Sequence, residues 1–305
     1  MSIEERSAGD AGVRGAPELG FMTDLATVAD IRTVRVPDGG DGVDLSIAEA
    51  GVGGRPLLLV HGFTGAKEDF RDAVAPLAAA GHWVVAPDLR GHGASEHPPG
   101  EDAYGLARFT SDVLGLLDVL GWDRFDLLGH SMGGMVAQLV TTTRPDAVER
   151  LVLMDTATGG VDGMDEDIMR LGIELCREQG LPAIAAVLEM GDKPLETPAH
   201  ARMAAVPGWT EWEAEKFLTS SADMWCAMVG ELLLVEDRIE ALRDLAMPVL
   251  VVVGEQDRPF RAVSARMAEV IPDARLVVVP DAGHSPQFEH PAAWYAAVSE
   301  FLAVP

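Results

Sequence analysis

Positive charge is scarce in this chain. Lysine occurs three times (Lys67, Lys193 and Lys216), Lys and Arg together number 23 against 49 Asp and Glu, and the formal charge is -26 at pH 7. Such a balance repels nucleic-acid phosphates and anionic lipid head groups, which excludes both as partners. It favours solubility; adaptation to high salt would give the same composition. Cysteine is scarcer still, with only Cys176 and Cys226. Two thiols in neither metal-ligand nor redox spacing make no disulfide framework, so free thiols in a reducing compartment are expected. No apolar run is long enough to cross a bilayer. Residues 1–20 carry Glu4, Glu5, Arg6 and Asp10 without an apolar core, so no secretory signal is expected and the expected location is cytoplasmic. The eight histidines lack ligand spacing, and the His97 to Asp102 stretch is too weak to promote, so no metal is expected. Neither G-x-x-x-x-G-K-S/T nor a G-x-G-x-x-G opening a helix occurs, which argues against a nucleotide and leaves no cofactor implied. The expected partner is a small-molecule substrate, bound by a monomer or homodimer.

What is present is an alternation. Residues 31–36 and 45–48 alternate apolar and polar side chains as strands do, joined by the turn-rich stretch 37–42. The continuous apolar runs at 57–60, 151–154, 249–253 and 276–279 read as strands buried on both faces. A further strand is expected at 83–87 and another at 124–128. Helical patterns fall near 67–80, 107–120, 135–140, 262–270 and 291–302, the last with Pro291 in its first turn. This order predicts an α/β fold: a doubly wound, mostly parallel sheet with helices on both faces. In such sheets ligands bind beyond the carboxyl ends of the strands, so motifs at those ends carry the chemical reading.

The alternation fails between residues 158 and 240. No apolar strand run occurs there, and helices are expected at 164–178, 182–190, 211–218 and 222–235. We read this interval as a helical cap inserted into a core of residues 31–157 and 241–305. Residues 1–30 read as a flexible extension, with a short amphipathic helix around 21–29. The cap holds many of the methionines and three of the six tryptophans (Trp209, Trp212, Trp225). With Met164 these are the candidate substrate-binding residues of an apolar, adaptable pocket, although such side chains also build a cap's own core. The cap's acidic residues, among them Asp165, Glu166, Asp167, Glu211 and Glu213, read as a solvated outer face.

Gly129-His130-Ser131-Met132-Gly133 falls where a strand turns into a helix. A serine there occupies a tight turn with its hydroxyl pushed out of the sheet's end, and the flanking glycines remove side chains that would clash. This is a nucleophile elbow in its required context. A serine hydroxyl needs a base within hydrogen-bond reach, and a histidine base needs a carboxylate to fix its tautomer. His284 follows the 276–279 strand and falls at the same sheet end as Ser131. His61, His92 and His130 occupy glycine-rich turns and read as structural donors. For the carboxylate, Asp257 lies just past the 249–253 strand; Asp155 and Glu255 are competitors at strand ends. The oxyanion formed in acyl transfer needs two N–H donors aimed at it. Met132, after the nucleophile, offers one, and Phe63 in His61-Gly62-Phe63-Thr64-Gly65 the other.

Together, His61-Gly62-Phe63, the turn from Asp88 to Ser95, Gly129-His130-Ser131-Met132-Gly133-Gly134, Gly254-x-x-Asp257 and Gly283-His284 resemble the α/β-hydrolase superfamily. The resemblance covers residues 34–302 apart from the cap. It implies Ser131, Asp257 and His284 as a catalytic triad, Phe63 and Met132 as oxyanion donors, and a structural role for the Asp88–Ser95 turn. Serine at 131, where dehalogenases and epoxide hydrolases of this fold carry aspartate, argues against both. The expected function is a serine hydrolase that cleaves a carboxylic ester or lactone of a small, largely apolar substrate through an acyl-enzyme. One alternative is a carbon–carbon bond hydrolase of the dienoate (meta-cleavage product) type, whose Gly-Gly-Gly-Pro-Gly loop and Trp after the histidine this chain lacks. The other is a non-catalytic ligand-binding protein on the same fold.

Overall fold

A computed structural model describes residues 6–7, 22–37, 40, 42–160, 165–190 and 197–303. Nine strands occur among them: β1 (Arg6–Ser7), β2 (Asp30–Val36), β3 (Val43–Ala50), β4 (Arg55–Val60), β5 (His82–Pro87), β6 (Phe125–His130), β7 (Val148–Met154), β8 (Val249–Gly254) and β9 (Ala274–Val279). They form one sheet in the order β1-β9-β8-β7-β6-β4-β5-β3-β2. Its pairs are parallel except those that β3 makes with β2 and β5. This is the mostly parallel α/β sheet that the alternation predicts.

Both faces are covered, and the strand sequences show why. In β4, Leu57 and Leu59 face one apolar cluster while Leu58 and Val60 face another, all four fully buried. A strand with two buried faces has no place for polar alternation. The first cluster receives α1 (Arg71–Ala79) through Val74 and Leu77, and α11 (Pro291–Phe301) through Trp294 and Val298. The second receives α2 (Leu106–Leu120), α3 (Met132–Thr143) and α9 (Arg258–Val270), through side chains such as Phe109, Val136 and Met267. Full burial of each such leucine or valine contributes about 2 kcal/mol. Gly121, at φ 68°, ends α2 in the left-handed conformation and turns its N–H back onto Asp118 and Leu117.

Five helices lie between β7 and β8: α4 (Glu166–Gln179), α5 (Leu181–Met190), α6 (Pro198–Ala204), α7 (Trp209–Leu218) and α8 (Ala222–Leu234). Their sequences form two apolar clusters. Cys176, Leu181, Ile184, Trp225, Cys226 and Val229 make one, against which Phe63 of the core packs. Met203, Trp209 and Phe288 make the other, joined by Trp212. Both cysteines are buried free thiols. A last short helix, α10 (Pro286–Glu289), leads into α11. No helix among the described residues is long and apolar enough to cross a membrane.

Three expectations are corrected. The interval holds α6 as a fifth helix, started by the Thr197 side chain, which accepts the His200 N–H, and by Pro198 in the first turn. The helix expected over 21–29 is only a 3₁₀ turn at Leu25–Thr27, capped by Asp24; β2 begins at Asp30, which leaves no room for a longer helix. Finally, the extension is not uniformly loose, since Arg6–Ser7 pair with Val277–Val278 at the sheet edge. The rest of it, up to residue 21, lies outside the described residues.

Candidate active site

The sharp bend at Ser131 follows from its neighbours. β6 ends at His130 and α3 begins at Met132, so one residue reverses the chain, and Ser131 does so at φ 54° and ψ -120°. Its backbone N–H donates to the Met154 carbonyl at the end of β7 (2.9 Å). A Cβ at Gly129 would sit 2.3 Å from the Gly133 carbonyl oxygen, and one at Gly133 would sit 2.3 Å from that of Val60. Side chains at either position would push the helix off the strands, so the two glycines allow a non-glycine residue to hold the strained turn.

His284 sits on the loop after β9. Its Nδ1 donates to Asp257 Oδ2 (2.8 Å), and its Nε2 faces Ser131 Oγ at 3.0 Å. A carboxylate only accepts, so Nδ1 carries the ring proton and the Nε2 lone pair is aimed at the hydroxyl hydrogen. Asp257 opens α9 as its N-terminal flanking residue, yet its side chain makes no capping bond there. The carboxylate is 2 % exposed and directed at the imidazole. Asp155, the competitor, lies in the same cluster: one ligating atom each from Asp155, Asp257 and His284 lie within 4.8 Å of one another. Among the described residues this is the only such grouping of potential metal ligands. Its histidine is already engaged on both ring nitrogens, which suits proton transfer along the row.

The loop after β4 runs beside the hydroxyl. A Cβ on Gly62 would lie 3.0 Å from that of Ser131. Thr64 takes the left-handed conformation at φ 55°, and the Gly65 N–H closes the turn on Gly62. Met132 is the first residue of α3, so no acceptor within the helix reaches its N–H. The Phe63 N–H likewise meets no acceptor among the described residues. The Met132 N–H opens α3 at its positive end, where negative charge is favoured, and Phe63 follows Gly62, whose backbone approaches Ser131.

Supporting side chains hold these loops. Glu289 accepts the N–H of Gly283 (2.6 Å) and of Ser285 (3.1 Å), bracketing His284 on both sides. Burial raises its carboxyl above the usual range, while the two backbone bonds work against that rise. His130 Nε2 donates to the His284 carbonyl (2.7 Å). Burial, then the neighbouring His284, pushes its imidazole down to about 3, so it is a neutral tether at physiological pH. His61 Nδ1 donates to the Gly62 carbonyl and its Nε2 accepts the Leu89 N–H. Asp69 accepts Lys216 Nζ of α7 (2.7 Å) and the Ala66 N–H, tying the loop to the inserted helices. The Asp88–Ser95 turn is structural: Asp88 takes Lys67 Nζ and the Ala94 N–H, and Ser95 Oγ donates to its carbonyl.

The candidate pocket residues separate. Trp225 of α8 stands against Phe63, with ring centroids 6.5 Å apart. Phe260 of α9 stands against His284 at 4.7 Å. Trp209 and Trp212 pack differently: both stack on Phe288, and Arg71 covers the Trp212 ring at 3.8 Å. They are three positions apart on one helix face, so one apolar contact claims both. Met164 lies outside the described residues. Glu289 and Phe260 are additions that sequence reasoning missed; neither sits in a motif.

A model of the alpha/beta hydrolase family matches residues 57–298. Among curated proteins, the chain is 30% identical to 2-(acetamidomethylene)succinate hydrolase of Mesorhizobium japonicum over 268 residues, 85% of this chain and 92% of that one. Among solved structures, it is similar to the enol-lactonase from Burkholderia xenovorans LB400, with a TM-score of 0.77 and 25% identity, over 90% of this chain and 100% of that one. A thermophilic esterase from Thermogutta terrifontis, with malate bound, has a TM-score of 0.76 and 28% identity, over 90% and 98% of the two chains.

Proposed function

Because the chain belongs to the alpha/beta hydrolase family, we propose that it is a serine hydrolase acting on a carboxylic ester or lactone of a small, largely apolar substrate. The observation that carries this reading is the unbroken row Ser131 Oγ, His284, Asp257, at 3.0 and 2.8 Å. His284 Nε2 takes the hydroxyl proton as Oγ attacks the substrate carbonyl. The imidazolium that forms is held by the Asp257 carboxylate. The oxyanion falls between the Phe63 and Met132 N–H groups. His284 then protonates the leaving alcohol, an acyl group remains on Ser131, and a water activated by the same imidazole releases the acid.

Phe63, Trp225 and Phe260 supply apolar walls on two sides of the row. The nearby cation Lys216 is already bound to Asp69, and a carboxylate on the substrate would compete with that pair. A neutral acyl group therefore fits better than an acidic one, although the name of one similar protein carries a succinate and another was solved with malate bound. The two free thiols suit a reducing compartment, and we assign the enzyme to the cytoplasm.

The test is a panel of p-nitrophenyl esters, simple lactones, dienoates and acid-bearing monoesters. The expected result is that p-nitrophenyl butyrate turns over with at least tenfold higher kcat/KM than the succinate monoester, about 1.4 kcal/mol in transition-state binding. Faster hydrolysis of the acidic ester would contradict the apolar reading. Turnover of dienoates alone would contradict the ester reading.

A further inference from the structure

Asp155 lies at the carboxyl end of β7, and the mechanism above gives it no task. It is fully buried and held at φ 44°, in the left-handed region where few non-glycine residues sit. Its Oδ1 accepts the Gly254 N–H at 2.8 Å. Its Oδ2 is buried and meets no donor among the described residues. Yet carboxylate oxygens of Asp155 and Asp257 lie within 4.8 Å of each other and of a His284 ring nitrogen. Two carboxylates this close in a dry site repel strongly if both are ionised. A single proton removes the repulsion and turns Oδ2 from an acceptor without a partner into a donor facing a carboxylate.

We propose that Asp155 is a positioning residue that keeps its proton at neutral pH and donates it, from Oδ2, as a hydrogen bond to Asp257. The acid of the triad is then two side chains sharing one negative charge. Burial raises the Asp155 carboxyl well above the usual carboxylate range, and the charge and hydrogen bond of Asp257 add to this against the opposing Gly254 N–H. The other ionisable groups facing the pair are His284, Glu289, whose charge acts in the same direction, and His130, which stays neutral. A neutral Asp155 leaves the imidazolium beside one negative charge rather than two, so its proton passes more readily to the leaving group. The bond also fixes the Asp257 plane with Oδ2 on Nδ1. This inference rests on the serine-hydrolase reading for its consequence, but not for its measurement.

The measurement is infrared difference spectroscopy of the whole chain, isotope-labelled at the aspartate side-chain carboxyl, with and without Asp155→Asn. At pH 7 the native protein is expected to show the C=O stretch of a protonated aspartic acid, and D155N to lack it. This needs no turnover, so it stands even if Ser131 proves not to be a nucleophile. No such band in the native protein would overturn the proposal. The pH profile of kcat/KM gives a second readout. D155N supplies an amide donor and no charge, so its acid limb is expected to stay at the native pH, whatever its amplitude. Were Asp155 ionised, D155N would remove a negative charge beside the imidazole, and the acid limb would fall by about one pH unit. If D155N does not fold, titration of the labelled native protein decides. A band that persists above about pH 7 supports the proposal, and one lost by about pH 6 overturns it.

Discussion

Ser131→Ala is expected to lower kcat for p-nitrophenyl butyrate by about 10⁵-fold while leaving the fold intact. The size follows from what the hydroxyl does. In the proposed mechanism it is the atom that forms the acyl bond, and it stands 3.0 Å from His284 Nε2, the proposed base. Without it, only the proposed oxyanion donors and the binding surface would remain, and such groups retain a modest enhancement over water. The fold has little to lose. The turn is held by the Ser131 N–H on Met154 and by the close approach of Gly129 and Gly133, none of which uses the Oγ. Alanine at φ 54° is strained about as much as serine, so thermal unfolding should move by less than about 1 kcal/mol. Turnover within tenfold of native in a folded variant would place the nucleophile elsewhere.

Asp257→Asn is expected to cost about 10⁴-fold in kcat/KM. The carboxylate accepts the Nδ1 proton and so leaves the Nε2 lone pair facing Ser131. An asparagine can instead present its amide N–H to Nδ1, which favours the tautomer with the proton on Nε2. That ring cannot take a proton from the hydroxyl, although every distance is kept. The variant also removes the charge that stabilises the imidazolium. It should therefore fall in kcat far more than it rises in KM, because in the proposed mechanism this buried side chain acts on the base rather than on the substrate. Circular dichroism and thermal unfolding check that the loop after β8 is unharmed. A loss smaller than about tenfold would mean that another carboxylate orients His284, and Asp155 is the one within reach.

Much of this architecture can be read in the amino-acid order because each signal has a local cause. The runs at Leu57–Val60 and Val249–Val253 are apolar at every position, and only a strand covered on both faces uses such a run. The glycines at 129 and 133 mark a place where Cβ atoms would collide with backbone, and the serine between them stands at the strand end for that reason. His284 and Asp257 follow strands whose carboxyl ends share one rim, so their convergence follows from parallel topology.

What stays hidden depends on packing rather than order. Asp155 and Asp257 both follow buried strands, and nothing in the local sequence says which carboxylate points at Nδ1 and which stands behind it. Glu289 holds the His284 loop through two backbone N–H groups, but in sequence it is one acidic residue at a helix end. Trp209, Trp212 and Trp225 look alike in composition. Only the third packs on Phe63, because α7 turns its aromatic face to Phe288 and α8 turns its own to the loop after β4. The α6 helix had a readable start in Thr197-Pro198, yet its seven residues are too few for a periodic pattern to emerge.

A serine oxygen made reactive by its neighbours is the centre of the proposed chemistry, and covalent labelling tests for it without knowledge of the natural substrate. The native chain is incubated with a fluorophosphonate, digested, and the modified peptide sequenced by mass spectrometry. The expected result is a single stoichiometric adduct on Ser131, formed rapidly in the native protein and lost in His284→Ala. A folded native chain that takes up no label, or takes it up at another side chain, would contradict the account.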